Sequence, residues 1–199
     1  MDINDLKNKQ NKSTKAEEII NLFETFKQVS NRLSVLTSAK VRQKKLELNS
    51  EFENYFTQNG FEVTKTARGL KAVYQDVEVN LQDQNPDSDE IEGFVLLEIH
   101  SKKIHSPIVI KASEEDSYKL AWKNNLKNYH DRYIGFDNYQ QEISKIDDDA
   151  FLGKLIRQIN ENIEWYNQTI NDFESIDFVY SHYKGYKEYK SFEEYFKAL

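Results

Sequence analysis

The chain has 199 residues, 38% of them hydrophobic and 31% charged, and a formal net charge of -7. It contains no cysteine, which excludes disulfides, a thiolate nucleophile and a cysteine-ligated zinc site. No apolar run approaches the ~20 residues of a membrane span and no apolar leader opens the sequence, so the expectation is a cytoplasmic protein without a membrane partner.

Residues 1–14 lack apolar periodicity and read as a flexible N-terminal tail, which leaves residues 15–199 as a single α+β domain. Apolar side chains then follow at Ile19, Leu22, Phe26, Val29, Leu33 and Leu36, spaced 3, 4, 3, 4, 3, which is a heptad seam. The pattern fades over Thr37 to Lys45, where a bend or break is expected near Thr37-Ser38. It resumes at Leu48, Phe52, Tyr55 and Phe56. Asn59-Gly60 closes this helical region, 15–60, with residues suited to a left-handed turn.

From residue 61 to 112 the apolar period changes to two, the period of an antiparallel sheet. FEVTKTA, KAVYQDVEVNLQ, GFVLLEIHS and PIVIKA read as four strands joined by short turns and one acidic loop, QDQNPDSDE. On the second strand, Val73, Val77, Val79 and Leu81 are expected on one face, with Asp76, Glu78 and Asn80 on the other.

Residues 114–178 read as helical again. The clearest signal is Leu152, Ile156, Ile159, Ile163, Tyr166, Ile170 and Phe173, a second seam spaced 4, 3, 4, 3, 4, 3. Near the end, YSHYKGYKEYKSFEEY sets a ring at every third position from Tyr180 to Tyr195. Ser191 with Glu194 has the form of a capping box, so residues 191–199 form a short terminal helix. Tyr180 and Tyr183 are expected at the end of the long helix, with Tyr186 and Tyr189 in a connector. The fold class predicted is α+β. Long heptad-patterned helices make an antiparallel helical stalk or bundle, a coiled coil, around a small four-stranded antiparallel β-meander, and the seams pair within one chain or with a second copy in a homodimer.

Charge is unevenly spread. Residues 74–101 hold no Lys or Arg but carry Asp76, Glu78, Asp83, Asp87, Asp89, Glu90, Glu92 and Glu98, a field that attracts basic partners and repels nucleic acid. Within it, Asp83, Asn85, Asp87 and Asp89 alternate as calcium ligands do. An EF-hand needs Gly at its sixth position and Glu at its twelfth, where this chain has Ser88 and Phe94. The loop therefore reads as an acidic turn about Asn85-Pro86-Asp87, and neither metal nor cofactor is expected.

Asp76, Glu98 and His100 form a candidate catalytic group if the second and third strands pair, since carboxylates on adjacent strands can hold Mg²⁺ and activate water. Over residues 48–112, a helix followed by a strand with Asp76 and a strand with Glu98-x-His100 resembles the PD-(D/E)xK nuclease pattern. The resemblance implies metal-dependent phosphodiester cleavage. The chain departs from that pattern in having Glu-x-His for the usual Glu-x-Lys, and its Pro86-Asp87 stands in the loop. A second alternative is single-stranded nucleic-acid binding through Lys40, Arg42, Lys44 and Lys45 or through the tyrosines interleaved with Lys184, Lys187 and Lys190. Overall acidity argues against it.

The leading expectation is a non-enzymatic interaction protein. It would be a regulatory or accessory factor of a bacterium, phage or mobile element, for instance an inhibitor. Asp83, Asp87, Asp89, Glu90 and Glu92 would engage a protein partner with a basic, nucleic-acid-binding surface.

Overall fold

The computed structural model describes residues 2–84, 92–123, 126–127, 139–183 and 187–199. The chain divides into two compact units, residues 1–33 with 118–173 and residues 34–117 with 174–199. One helix, α1 (Ile3–Gln58), contributes to both. It starts well before residue 15 and runs without a break, because no Gly or Pro interrupts it. At the expected break, Thr37 and Ser38 are buried rather than solvated, so the loss of apolar character there marks no end of the helix. The helix stops at Gly60, whose φ is 81°, with the Phe61 amide donating to the Phe56 carbonyl at 3.0 Å.

In the first unit, Ile19, Phe26 and Leu33 of the expected seam are buried with Phe23 beside them, while Leu22 and Val29 are half-buried. Two further helices follow α2 (Glu114–Leu120): α3 (Tyr139–Ser144) and α4 (Asp149–Asn171). Asp148 caps α4 by accepting the Phe151 amide at 3.0 Å. Lys15 Nζ lies 2.8 Å from Asp149 at the start of α4, and Phe26 stacks on Tyr166 further along, centroids 5.6 Å apart. Contacts that advance together on both helices mean that α1 and α4 run parallel.

The buried residues of α4 are Leu152, Leu155, Gln158, Ile159, Asn162, Tyr166, Thr169 and Ile170. Of the expected row, Leu152, Ile159, Tyr166, Ile170 and, just beyond the helix, Phe173 are buried; Ile156 and Ile163 are only partly buried, while polar Asn162 and Thr169 point inward. They do so because they hold the backbone at the end of α2 and just beyond it. Asn162 Oδ1 accepts the Lys123 amide at 2.8 Å, its Nδ2 donates to the Lys123 carbonyl at 3.0 Å, and Thr169 Oγ1 donates to the Lys119 carbonyl at 3.2 Å. Buried side-chain dipoles matched in this way carry little net desolvation cost.

The second unit is built on one antiparallel sheet of seven strands in chain order: β1 (Glu62–Thr66), β2 (Gly69–Tyr74), β3 (Val77–Asp83), β4 (Gly93–Ile99), β5 (Ile104–Ala112), β6 (Phe178–His182) and β7 (Glu188–Tyr189). One face buries Leu70, Ala72, Val79, Leu81, Val95, Leu97, Ile108 and Ile110. Helix α1 approaches this face closely at β4, since a Cβ on Gly93 would lie 2.8 Å from Val41 Cγ1. A terminal helix, α5 (Phe192–Lys197), adds the fully buried rings of Phe192 and Tyr195. Phe192 lies 5.4 Å from Phe52, and Phe196 lies 5.3 Å from both Tyr55 and Phe56, ring centre to ring centre.

The expected four-stranded meander inside an antiparallel helical stalk is therefore corrected in three respects. KAVYQDVEVNLQ is two strands, since Gln75 takes φ 51° and the chain reverses at Gln75-Asp76, which puts Val73 on the face opposite Val79. Two more strands come from the tyrosine-rich segment, so Tyr180 sits in β6 and Tyr189 in β7 rather than at a helix end and in a connector. The long helices run parallel because the chain returns through α2 and α3 before α4 begins. Among the described residues, no helix is long and apolar enough to cross a membrane.

Candidate functional site

The face of the sheet opposite α1 gathers the polar side chains of β2 to β5. Register pairs Lys71 with Asn80, Asn80 with Glu98, and Glu98 with His105, so these four cross the sheet as one row. Glu78 and Gln82 flank Asn80 on β3, since alternate residues of a strand share a face. A cleft of about 350 Å³ lies beside them, lined in part by Arg68, Lys71, Glu78, Asn80 and Gln82.

The row is ordered by mutual bonds. Lys71 Nζ contacts Glu78 at 2.6 Å, and Asn80 Nδ2 donates to Glu78 at 3.1 Å. These two partners, Lys71 foremost, hold the Glu78 carboxyl below its ordinary pKa. His100 Nε2 stands 2.7 Å from Asn80 Nδ2 and 3.5 Å from Glu78. On the neighbouring strand, Glu98 accepts from Gln82 Nε2 at 3.2 Å and meets His105 Nδ1 at 3.0 Å.

The proposed catalytic group is not assembled by this register. Asp76 is exposed in the β2–β3 turn, whereas Glu98 lies opposite Asn80, four residues further along β3. Four residues of strand cover about 13 Å, which is beyond the reach of two carboxylates sharing one cation. His100 belongs to a 3-10 turn after β4 and bonds to Asn80 rather than to Glu98. Among the described residues, no three His, Cys, Asp or Glu side chains come together as a metal ligand set.

The acidic loop is split. Asp83, at the end of β3, is tied to Lys45 Nζ at 2.8 Å, with both side chains mostly covered, so it turns toward α1 and not toward a partner. Glu92 is exposed. Asp87, Asp89 and Glu90 lie outside the described residues.

The basic patch faces carboxylates of its own chain. Lys40 pairs with Glu174 at 3.3 Å and Lys44 with Glu47 at 3.0 Å, while Lys45 is the partner of Asp83. Arg42 is exposed on the same stretch of helix. The tyrosine series is equally committed: Tyr180, Tyr189 and Tyr195 are buried, and only Tyr183 is well exposed among the described rings of that series. Tyr186 and Lys184 lie outside the described residues.

Lys71, Asn80, Gln82 and His105 are the site residues that sequence reasoning did not select. Their signal was the alternation Glu78, Asn80, Gln82 on the polar side of β3. No protein-family model, curated protein or solved structure matches the chain.

Proposed function

We propose that this chain is a non-enzymatic interaction protein that presents an acidic surface to a basic, nucleic-acid-binding protein. The observation that carries this reading is the fate of the acids in residues 74–101. Glu78, Asp83 and Glu98 find Lys71, Lys45 and His105 from outside or beyond that stretch's own run of acids, whereas Asp76 and Glu92 remain exposed. Asp87, Asp89 and Glu90 stand within five residues of Glu92 in the sequence, so the acids that carry the reading are those between β3 and β4, whereas Asp76 stands at the other end of β3. Such a field speeds encounter with a basic partner and discriminates against phosphate backbones.

The ordered row beside it supports the same reading. Side chains already locked by cross-strand bonds lose little freedom on docking, which favours recognition over chemistry. A regulatory role follows, because a protein that covers a basic nucleic-acid-binding surface competes with nucleic acid for it.

The test uses a labelled Lys/Arg-rich peptide and, separately, a basic DNA-binding protein already bound to labelled DNA. The full chain should bind the peptide in a salt-sensitive manner and release the DNA. Replacing Asp87 and Asp89 by Asn, and Glu90 and Glu92 by Gln, should weaken both effects about tenfold or more. Equal binding by this variant, or no binding by the natural chain, overturns the reading.

A further inference from the structure

We propose that His182 is a pH-operated pin, whose uptake of a proton loosens β7 and α5 from the sheet. His182 ends β6 on the face that α5 covers. Its ring lies 4.5 Å from that of Tyr195 on α5 and meets Tyr189 of β7 edge-on at 5.5 Å. The histidine is thus held between the two tyrosines that fasten the end of the chain.

Ser106 joins this cluster from β5. The Tyr195 hydroxyl donates to the Pro107 carbonyl at 3.3 Å, and the same oxygen stands 2.7 Å from Ser106 Oγ. Ser106 Oγ in turn lies 3.4 Å from His182 Nδ1, so the ring is joined to Tyr195 through the hydroxyl of Ser106 as well as by direct packing.

The surroundings oppose a positive charge on the ring. Packed against the ring are Ser106 from β5, Tyr189 from β7 and Tyr195 from α5, and among the described residues the charge bearing on it is that of Lys187, whose Nζ also lies 5.3 Å over the Tyr189 ring. The nearby acids are turned elsewhere: Glu188 to the Glu114 amide and Lys111, Glu194 to the Lys190 amide, and Glu51 to the Phe192 amide. Burial first, then Lys187, sets the ring's pKa below the ordinary histidine value. Once β7 and α5 detach, the ring regains water and its usual basicity. Attachment is thus strongest above about pH 6.5, the ordinary histidine value, and weakens as pH falls from there through the lower value of the attached ring.

The experiment is hydrogen exchange, resolved by segment, on the full chain from about pH 7.5 to about pH 5.5, a range that brackets the ordinary histidine pKa. After correction for intrinsic pH dependence, amides of residues 189–197 should lose protection on acidification while those of β3 to β5 keep theirs. His182→Gln should abolish this selective loss, whereas His105→Gln should not. A flat response in the natural chain, or the same response in His182→Gln, overturns the proposal. If His182→Gln does not fold, NMR titration of the natural chain decides, and a His182 pKa at or above the ordinary value overturns it.

Discussion

The Glu51 carboxylate of α1 accepts the backbone amide of Phe192, the first residue of α5, at 2.5 Å. Ser191 Oγ accepts the Glu194 amide at 3.3 Å, so two side chains from different parts of the chain serve the amides that open this helix. A helix of six residues is too short to hold itself, and its stability must come from such bonds and from the rings it buries. Glu51 also receives the Tyr180 hydroxyl at 3.5 Å, which ties β6 to the same carboxylate.

Glu51→Ala should therefore cost about 1.5–3 kcal/mol, the range for a hydrogen bond to a charged group that leaves its partner unmatched. Glu51→Gln keeps an acceptor oxygen and should cost less. Urea unfolding of both variants, read by tyrosine fluorescence, checks the order. Equal losses would mean that the charge, rather than the accepted bond, is what matters.

Gly69 offers a sharper test of the hairpin that forms β2. A Cβ at this position would stand 2.0 Å from the Leu81 carbonyl oxygen on β3, a main-chain atom that cannot step aside without breaking the ladder. Gly69→Ala should destabilise the chain by more than about 2 kcal/mol. Gly153→Ala is the control, because a Cβ there meets nothing within 4 Å and the residue lies inside helix α4. The control should be neutral or stabilising, and thermal unfolding separates the two outcomes.

These residues also show what the sequence could and could not reveal. Strands β1, β4 and β5 were legible because β-branched and apolar residues fill them and recognisable turn residues bound them. The β2–β3 turn was not, because Gln75 takes a positive φ that Gly or Asn usually supplies. β6 was hidden by rings at a period of three: Tyr180 is buried and Tyr183 is exposed, which becomes intelligible only with β5 alongside. The seam on α1 was visible through Ile19, Phe26 and Leu33. Its partner's direction was not, since a heptad has the same spacing read either way. At the candidate site, the alternation of Glu78, Asn80 and Gln82 was readable, but joining Asn80 to Glu98 and Glu98 to His105 required register.

Alkaline pH supplies an independent probe of the buried tyrosines. Burial pushes the pKa of Tyr166 up to about 12, and does the same for Tyr195 despite the opposing Ser106 bond. Each contributes stability that is fully present below the unfolded tyrosine pKa of about 10 and is lost as pH rises from there toward the folded value. The loss is on the order of 2–3 kcal/mol per residue. Ultraviolet titration should show the exposed tyrosines ionising first and these two only as the chain unfolds. Tyr166→Phe should raise the pH at which unfolding occurs. A single smooth ionisation of all tyrosines near pH 10 would contradict their burial.

Asn162 gives the last prediction, because an apolar replacement there separates sequence pattern from structure. The residue is fully buried on α4, and its side chain closes a two-bond clamp on the Lys123 amide and carbonyl while also donating to the Gln158 carbonyl at 2.8 Å. By pattern alone, Leu would extend the apolar row of α4 and should stabilise. By structure, Asn162→Leu strips two backbone groups of their partner and forces a larger side chain into a filled position. Each unmatched buried group costs about 1–3 kcal/mol, so the variant should be less stable by several kcal/mol despite its greater hydrophobicity. Asn162→Asp separates the two halves of the clamp: it keeps the acceptor for the Lys123 amide and sets a carboxylate against the Lys123 carbonyl. It should be destabilised near neutral pH and recover in part on acidification, when protonation restores a donor. Chemical denaturation of the three proteins at two pH values reads this directly, and a Leu variant as stable as the natural chain would remove the clamp from the account of this unit.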